Sequence, residues 1–242
     1  MSIRRGLSVL RARLSSAVTE PHYVRDYARL VRGLLAEHPR GEAMALAVGG
    51  RYDDIGRVEA DLLVECGLAE GHAILDIGCG SGRLAHQLGK RFRRLDYLGI
   101  DVVQELLDFA AEQSPPDYRY RLNTALSVPC ADASLDVACA FSVFTHLHHA
   151  ESFRYLADTR RALKPGGKMV FSFLEAPRHL DIFVLFVEQS RTGTAQHLNI
   201  LIERPMIEAW AAHLGFVVEG YREGPPLGQS AVILRVPERL AG

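Results

Sequence analysis

The chain has 242 residues, 48% of them hydrophobic, enough to bury the core of one α/β domain with an appended arm. Its 28 basic and 29 acidic residues nearly cancel, so the overall charge offers no footprint for a nucleic acid or an acidic polymer. No apolar run approaches the ~20 residues needed to cross a bilayer, and the four cysteines, Cys66, Cys79, Cys130 and Cys139, lack C-x-x-C spacing, which reads as reduced thiols in a cytoplasmic protein.

Residues 1 to 19 carry Arg4, Arg5, Arg11 and Arg13 and no acid, with Ile3, Leu7, Leu10, Leu14 and Val18 at helical spacing. Such a basic amphipathic helix fits an arm packed on its own domain or on a second subunit, so a homodimer stays open. A membrane-surface role and a transit peptide share the same composition, but no stable membrane insertion is expected. A second helix is predicted over about Val24 to Glu37, with His38-Pro39-Arg40-Gly41 stopping it. Gly49 and Gly50 mark a turn, and Ile55 to Cys66 has helical periodicity ending at Gly67. Tyr52, Asp53 and Asp54 fall in the loop between, where either acid is placed to cap the helix. Residues 1 to 54 are therefore read as an N-terminal helical arm or lid, and 55 to 242 as the main domain.

The stretch Ala73 to Ala85, AILDIGCGSGRLA, organises the chain. Ile74, Leu75 and Ile77 form a short apolar run, three glycines follow, and Arg83 to Arg91 is amphipathic, which predicts strand, tight turn and helix. A dinucleotide fingerprint would need glycine at position 83, where Arg83 stands, and no Gly-Lys-Ser/Thr follows, so neither pyrophosphate nor P-loop binding is favoured. Leu95 to Asp101 reads as a second strand ending in an acid nineteen residues beyond Gly82. A carboxylate at that strand end can accept hydrogen bonds from both ribose hydroxyls of an adenosine, with a simple helix cap as the alternative role of Asp101.

A helix from Val103 to Gln113, a third strand from Tyr118 to Leu122 and a fourth from Leu135 to Ser142 come next. SVFTHLHH follows the fourth, and its H-x-H-H cluster falls short of the about four ligands of a structural zinc site. Ser152 to Leu163 is helical, and Lys164-Pro165-Gly166-Gly167 is expected to terminate it before a fifth strand, Lys168 to Leu174. Further helices are predicted over Pro177 to Arg191 and Arg204 to Leu214, then a strand pair, Phe216 to Arg222 and Ser230 to Val236.

LDIGCGSG, LGID and RALKPGG, in this order, resemble the motifs of the class I S-adenosylmethionine (SAM)-dependent methyltransferases, and the likeness runs from about residue 55 to 236. The resemblance implies a Rossmann-like seven-stranded α/β sheet with helices on both faces and an N-terminal helical extension, closed by one antiparallel strand. It implies SAM as cofactor. Gly78, Cys79 and Gly80 would then contact the methionine end, Asp76 would orient its amino group, and Arg83 would pair with its carboxylate. Val102 and Phe141, beside the second and fourth strand ends, belong to the same expected pocket. An acid that often binds the adenine amino group is replaced here by Thr124, with the backbone of Ala125 and Leu126 supplying the remaining contacts. The fourth strand end faces the transferred methyl, which puts His146 at the mouth of the site as a general base for an acceptor hydroxyl.

The expected activity is methyl transfer to a hydroxyl of a small molecule or saccharide. The sugar is suggested by the likeness of SVFTHL and RALKPGG to bacterial glycan-modifying members. No metal is called for, although Glu175 or Asp181 offers oxygen ligands for a magnesium ion. An N- or C-methyltransferase, and a SAM-binding module acting through its basic arm without turnover, are the competing readings.

Overall fold

The computed structural model describes residues 20–223 and 228–238; the basic arm of residues 1–19 lies outside them. Helix α1 (His22–Glu37) and helix α2 (Arg40–Ala47) are followed by α3 (Tyr52–Glu65), β1 (Ala73–Ile77), α4 (Arg83–Arg91) and β2 (Asp96–Asp101). The chain continues through α5 (Gln104–Gln113), β3 (Arg119–Leu122), β4 (Leu135–Ala140), a 3-10 turn (Phe144–His146) and α6 (His149–Ala162). It closes with β5 (Leu163–Phe173), α7 (Leu180–Thr192), α8 (Arg204–Leu214), β6 (Val217–Arg222) and β7 (Ser230–Arg235).

The strands form one seven-stranded sheet in the order β3-β2-β1-β4-β5-β7-β6. β1 pairs in parallel with both β2 and β4, and β7 runs antiparallel between β5 and β6. This is the Rossmann-like methyltransferase sheet that the motifs imply.

Strand alternation splits the core into two layers. Leu75, Ile77, Ala138, Ala140, Met169 and Phe171 pack on one face with Leu156, Ile207 and Ala211 from α6 and α8. Ile74, Val137, Cys139 and Val170 pack on the other with Leu62, Leu63, Leu84 and Leu88 from α3 and α4. A central strand buried on both faces reads as a continuous apolar run, which is why LDVACA was legible. The strand order reverses between β1 and β4, and the crevice above such a reversal is where ligands bind in open parallel sheets.

Three local readings need correction. His38-Pro39 does stop α1, but Pro39 immediately precedes a second helix, α2, because a proline with its fixed φ also starts helices well. Lys164-Pro165-Gly166-Gly167 is not a terminating loop. Leu163 already begins β5, and the β4–β5 register shifts between Leu135 and Val137, so the glycines lie within an irregular strand. The start of α3 is Tyr52, so Asp53 and Asp54 sit in its first turn, and neither side chain caps it. Asp53 instead accepts a 2.7 Å hydrogen bond from Gln87 on α4.

Candidate active site

A cavity of about 440 Å³ opens above the carboxyl ends of β1, β2 and β4. Its floor is the glycine loop, and its roof comes from α1 and α2 through Tyr23, Tyr27, Leu30, Leu34 and Val48. Val31, Met44 and Ala47 bind that roof to Val103 and Leu106 at the start of α5. Asp76, Gly78, Cys79, Gly80, Arg83, Asp101, Val102, Phe141 and His146 all line the cavity.

Gly78, Gly80 and Gly82 take φ of +65°, +55° and +84°. At Gly82 a Cβ would also stand 2.9 Å from the Ala110 backbone, so this glycine sets how closely α4 approaches α5. The loop amides serve the fold itself. Gly78 and Cys79 donate to the Ile100 carbonyl at 2.7 and 3.0 Å, Gly82 donates to Cys79 at 3.1 Å, and Gly80 donates to Asp101 Oδ2 at 2.9 Å. An anion would find these four donors already used, which removes a pyrophosphate cradle on grounds independent of the Arg83 substitution.

Asp101 also accepts from the Val102 and Val103 amides at 2.7 and 3.0 Å. The carboxylate thus ties the glycine loop to the β2 end. A carboxylate has about four acceptor sites, so capacity remains for a ribose hydroxyl. Burial raises its pKa while the three amides pull it down. Asp76 is buried among Tyr97, whose hydroxyl donates at 2.7 Å, and the Cys139 thiol at 3.6 Å. Burial pushes its pKa up to about 7. An acidic, acceptor-rich floor with its amides engaged suits a cationic nucleoside such as SAM, and the residues present fit it.

Arg83 is less free than the resemblance implies. Its Nε donates to Glu59 at 3.1 Å, and its two terminal nitrogens reach Glu59 and the Val48 carbonyl. Three of its five N–H groups are committed, and the buried Glu59 carboxylate neutralises its charge. Its evident role is to clamp α3 and the end of α2 to the loop, with two N–H groups left for a ligand.

The adenine end departs from the sequence reading. Thr124, Ala125 and Leu126 do not line the cavity; Asn123 does. The Thr124 and Ala125 carbonyls are taken by the hydroxyls of Tyr23 and Tyr155, at 2.8 and 2.9 Å. Asn123 holds the turn by donating to Ala125 and Ser127. An Asn directly after a strand was the available signal, because its side chain readily folds back on the local backbone.

At the opposite wall, His146 packs against His197, ring centroids 4.4 Å apart, and Tyr27 stacks on His197 at 5.6 Å. Tyr27 and His197 were not legible as site residues, since 170 positions separate them in the sequence. His146 Nδ1 lies 2.6 Å from the Leu198 carbonyl. A carbonyl only accepts, so Nδ1 carries the proton and Nε2 is left as an acceptor. Burial, then the neighbouring His197, lower the His146 pKa to about 3.

Of the two acids considered for a metal, Glu175 is occupied. Glu175 receives two 2.8 Å hydrogen bonds from Arg204 and one from Ser230, and Asp181 sits in the first turn of α7. Among the described residues, one group of potential ligands converges: His22, His148 and Glu151. His148 and Glu151 cap α6 reciprocally, and His22 bonds Glu151 at 2.9 Å.

Fold, glycine loop and Asp101 together define a Rossmann-like domain with an acceptor-rich cavity at the β1–β4 switch. Residues 74–167 match the family model described as a methyltransferase domain. The chain is 31% identical over 150 residues to a demethylmenaquinone methyltransferase of Deinococcus radiodurans, covering 56% of this chain and 60% of the relative. It is 35% identical over 108 residues to a ubiquinone biosynthesis O-methyltransferase of Cereibacter sphaeroides, covering 43% and 42%. The chain thus spans about half the length of these relatives. The magnesium protoporphyrin IX methyltransferase of Synechocystis, solved with bound S-adenosylhomocysteine (SAH), superposes with a TM-score of 0.62 at 14% identity over 95% of this chain and 99% of that one, which shows the fold. Residues 74–167 are thus similar to a methyltransferase domain and lie within a Rossmann-like sheet. Among the described residues, no helix is long and apolar enough to cross a membrane.

Proposed function

We propose that the chain transfers the SAM methyl group to a hydroxyl of a small molecule held between the glycine loop and the α1–α2 roof. The observation that carries this reading is His146, a neutral imidazole on the cavity wall with Nε2 free to accept a proton. The relatives named for demethylmenaquinone and ubiquinone biosynthesis support a small-molecule acceptor.

SAM, when bound, supplies an electrophilic methyl group on a sulfonium. Asp101 would hold one ribose hydroxyl with its remaining acceptor capacity, Asp76 would face the methionine amino group, and Phe141 and Val102 would pack beside the nucleoside. The transfer is an in-line displacement, so the chain's main tasks are alignment, exclusion of water and acceptance of one proton. Tyr27, Leu30 and Leu34 supply the apolar roof for the first two tasks.

The low pKa of His146 selects among hydroxyls. Burial weakens His146 as a base, so the acceptor it can serve is one that gives up its proton readily, such as a phenol or enol, rather than a sugar alcohol. With an aromatic wall, and with quinone-related biosynthesis rather than a saccharide in the names of the relatives reported above, an acidic ring hydroxyl replaces the saccharide as the proposed acceptor.

The test is conversion of SAM to SAH with panels of phenols, enols, sugars and amines, in wild type and His146→Ala. Phenols or enols should turn over, and the variant should lose roughly 10²-fold in turnover while binding SAM as before. Turnover confined to amines, or an unchanged rate in the variant, would remove His146 and the O-methyl reading.

A further inference from the structure

We propose that α7 is the contact through which two copies of this chain associate about a two-fold axis. The reading is independent of which acceptor is methylated.

α7 has the sequence LDIFVLFVEQSRT, and none of its residues is buried. Val184 and Leu185 are 52% and 58% exposed, and Leu180 and Val187 are each 45% exposed. A helix that is apolar on more than one side normally lies inside a protein, so among the described residues this one lacks a covering surface. Leu180, Val184 and Val187 fall at i, i+4 and i+7, which makes one continuous stripe, and Arg191 extends it by another turn. Ile182, Phe183 and Phe186 are half-buried on the other side.

The helix is complementary to itself when reversed. A two-fold axis passing between Leu185 and Phe186 sets Val184 against Val187 of the partner subunit and lays Leu180 along the stem of Arg191 of the partner subunit. Asp181, near the helix start, then approaches that same guanidinium. Among the described residues Arg191 pairs with Glu188 on its own exposed face, at 3.0 Å. An isologous contact needs this self-matching of one patch. A lipid surface fits less well, because Asp181 and Glu188 border the stripe where an interfacial helix carries basic residues. The stripe is short beside the about 1,600 Å² of a standard stable interface, so the dimer should dissociate on dilution.

The experiment is sedimentation velocity of the full chain over a dilution series, with far-UV circular dichroism and SAM-induced thermal shift verifying that each variant is folded. Wild type should approach the mass of two chains at high concentration. Val184→Glu and Val187→Glu should each sediment as one chain, and Val64→Glu, at an exposed site on α3, should behave as wild type. Asp181→Arg should weaken association, and adding Arg191→Asp should restore it. A wild type that stays monomeric throughout overturns the proposal, as do stripe variants that dimerise normally. Val184-dependent flotation of a monomer with phosphatidylglycerol vesicles would also overturn it and identify lipid as the occupant.

Discussion

Asp76 shows how one residue couples the cavity floor to the stability of the whole fold. Its pKa of about 7 in the folded chain lies above the ~3.9 of an unfolded aspartate, because burial penalises the charge more than Tyr97 and Cys139 relieve it. Between those values the folded state holds a proton that the unfolded state has lost, so this group makes stability fall as pH rises from about 4 to 7. Three units correspond to on the order of 4 kcal/mol. Asp76→Asn keeps an oxygen for the Tyr97 hydroxyl and cannot titrate. Urea midpoints at pH 5 and pH 8 should therefore differ less in the variant than in wild type, with the variant gaining most at pH 8. An equal pH dependence in both proteins would mean that Asp76 is ionised in the fold throughout.

At the scale of elements, the site depends on how closely α3 approaches α4. A Cβ at Gly56 would lie 2.4 Å from the Arg83 carbonyl oxygen, a backbone atom that cannot swing aside. Gly56→Ala should cost about 1–3 kcal/mol as an overpacking change and weaken SAM binding, because Arg83 opens the helix that follows the glycine loop. Gly33→Ala in α1 meets nothing within 4 Å and is the matched comparison, expected to be neutral or to stabilise by about 0.5–1 kcal/mol. Equal thermal midpoints for the two variants would show that the α3–α4 contact yields freely.

Elements whose signals are local were legible. Arg83–Arg91 and Arg204–Leu214 match their predicted bounds, since an amphipathic repeat between clear start and stop residues needs no tertiary information. β5 and α2 were misread because glycine and proline have two meanings. Gly167 sits where a Cβ would be 2.9 Å from the Lys164 carbonyl, a close approach within an irregular strand that looks like a helix stop in sequence. After β3 it is Asn123 and not Thr124 that lines the cavity, and only the folded chain shows Tyr155 taking the Ala125 carbonyl. The Tyr27–His197–His146 wall is set by long-range packing alone, which no local pattern records.

For the molecule as a whole, β1, β2 and β4 deliver one acid each or one aromatic wall to a single crevice, and α1 and α2 close it from above. The proposed methyl transfer requires that crevice to hold a cationic adenosyl ligand. The most direct measurement is thermal unfolding of the full chain alone and with SAM, SAH and NAD, in wild type and Asp101→Ala. Near 100 times its dissociation constant a ligand adds about 2.7 kcal/mol, and a chain of this size gains about 2–4 °C per kcal/mol. SAM and SAH should each raise the midpoint by several degrees in wild type and much less in the variant, and NAD should leave it unchanged. A rise with NAD alone, or SAM stabilisation undiminished without the Asp101 carboxylate, would contradict the account.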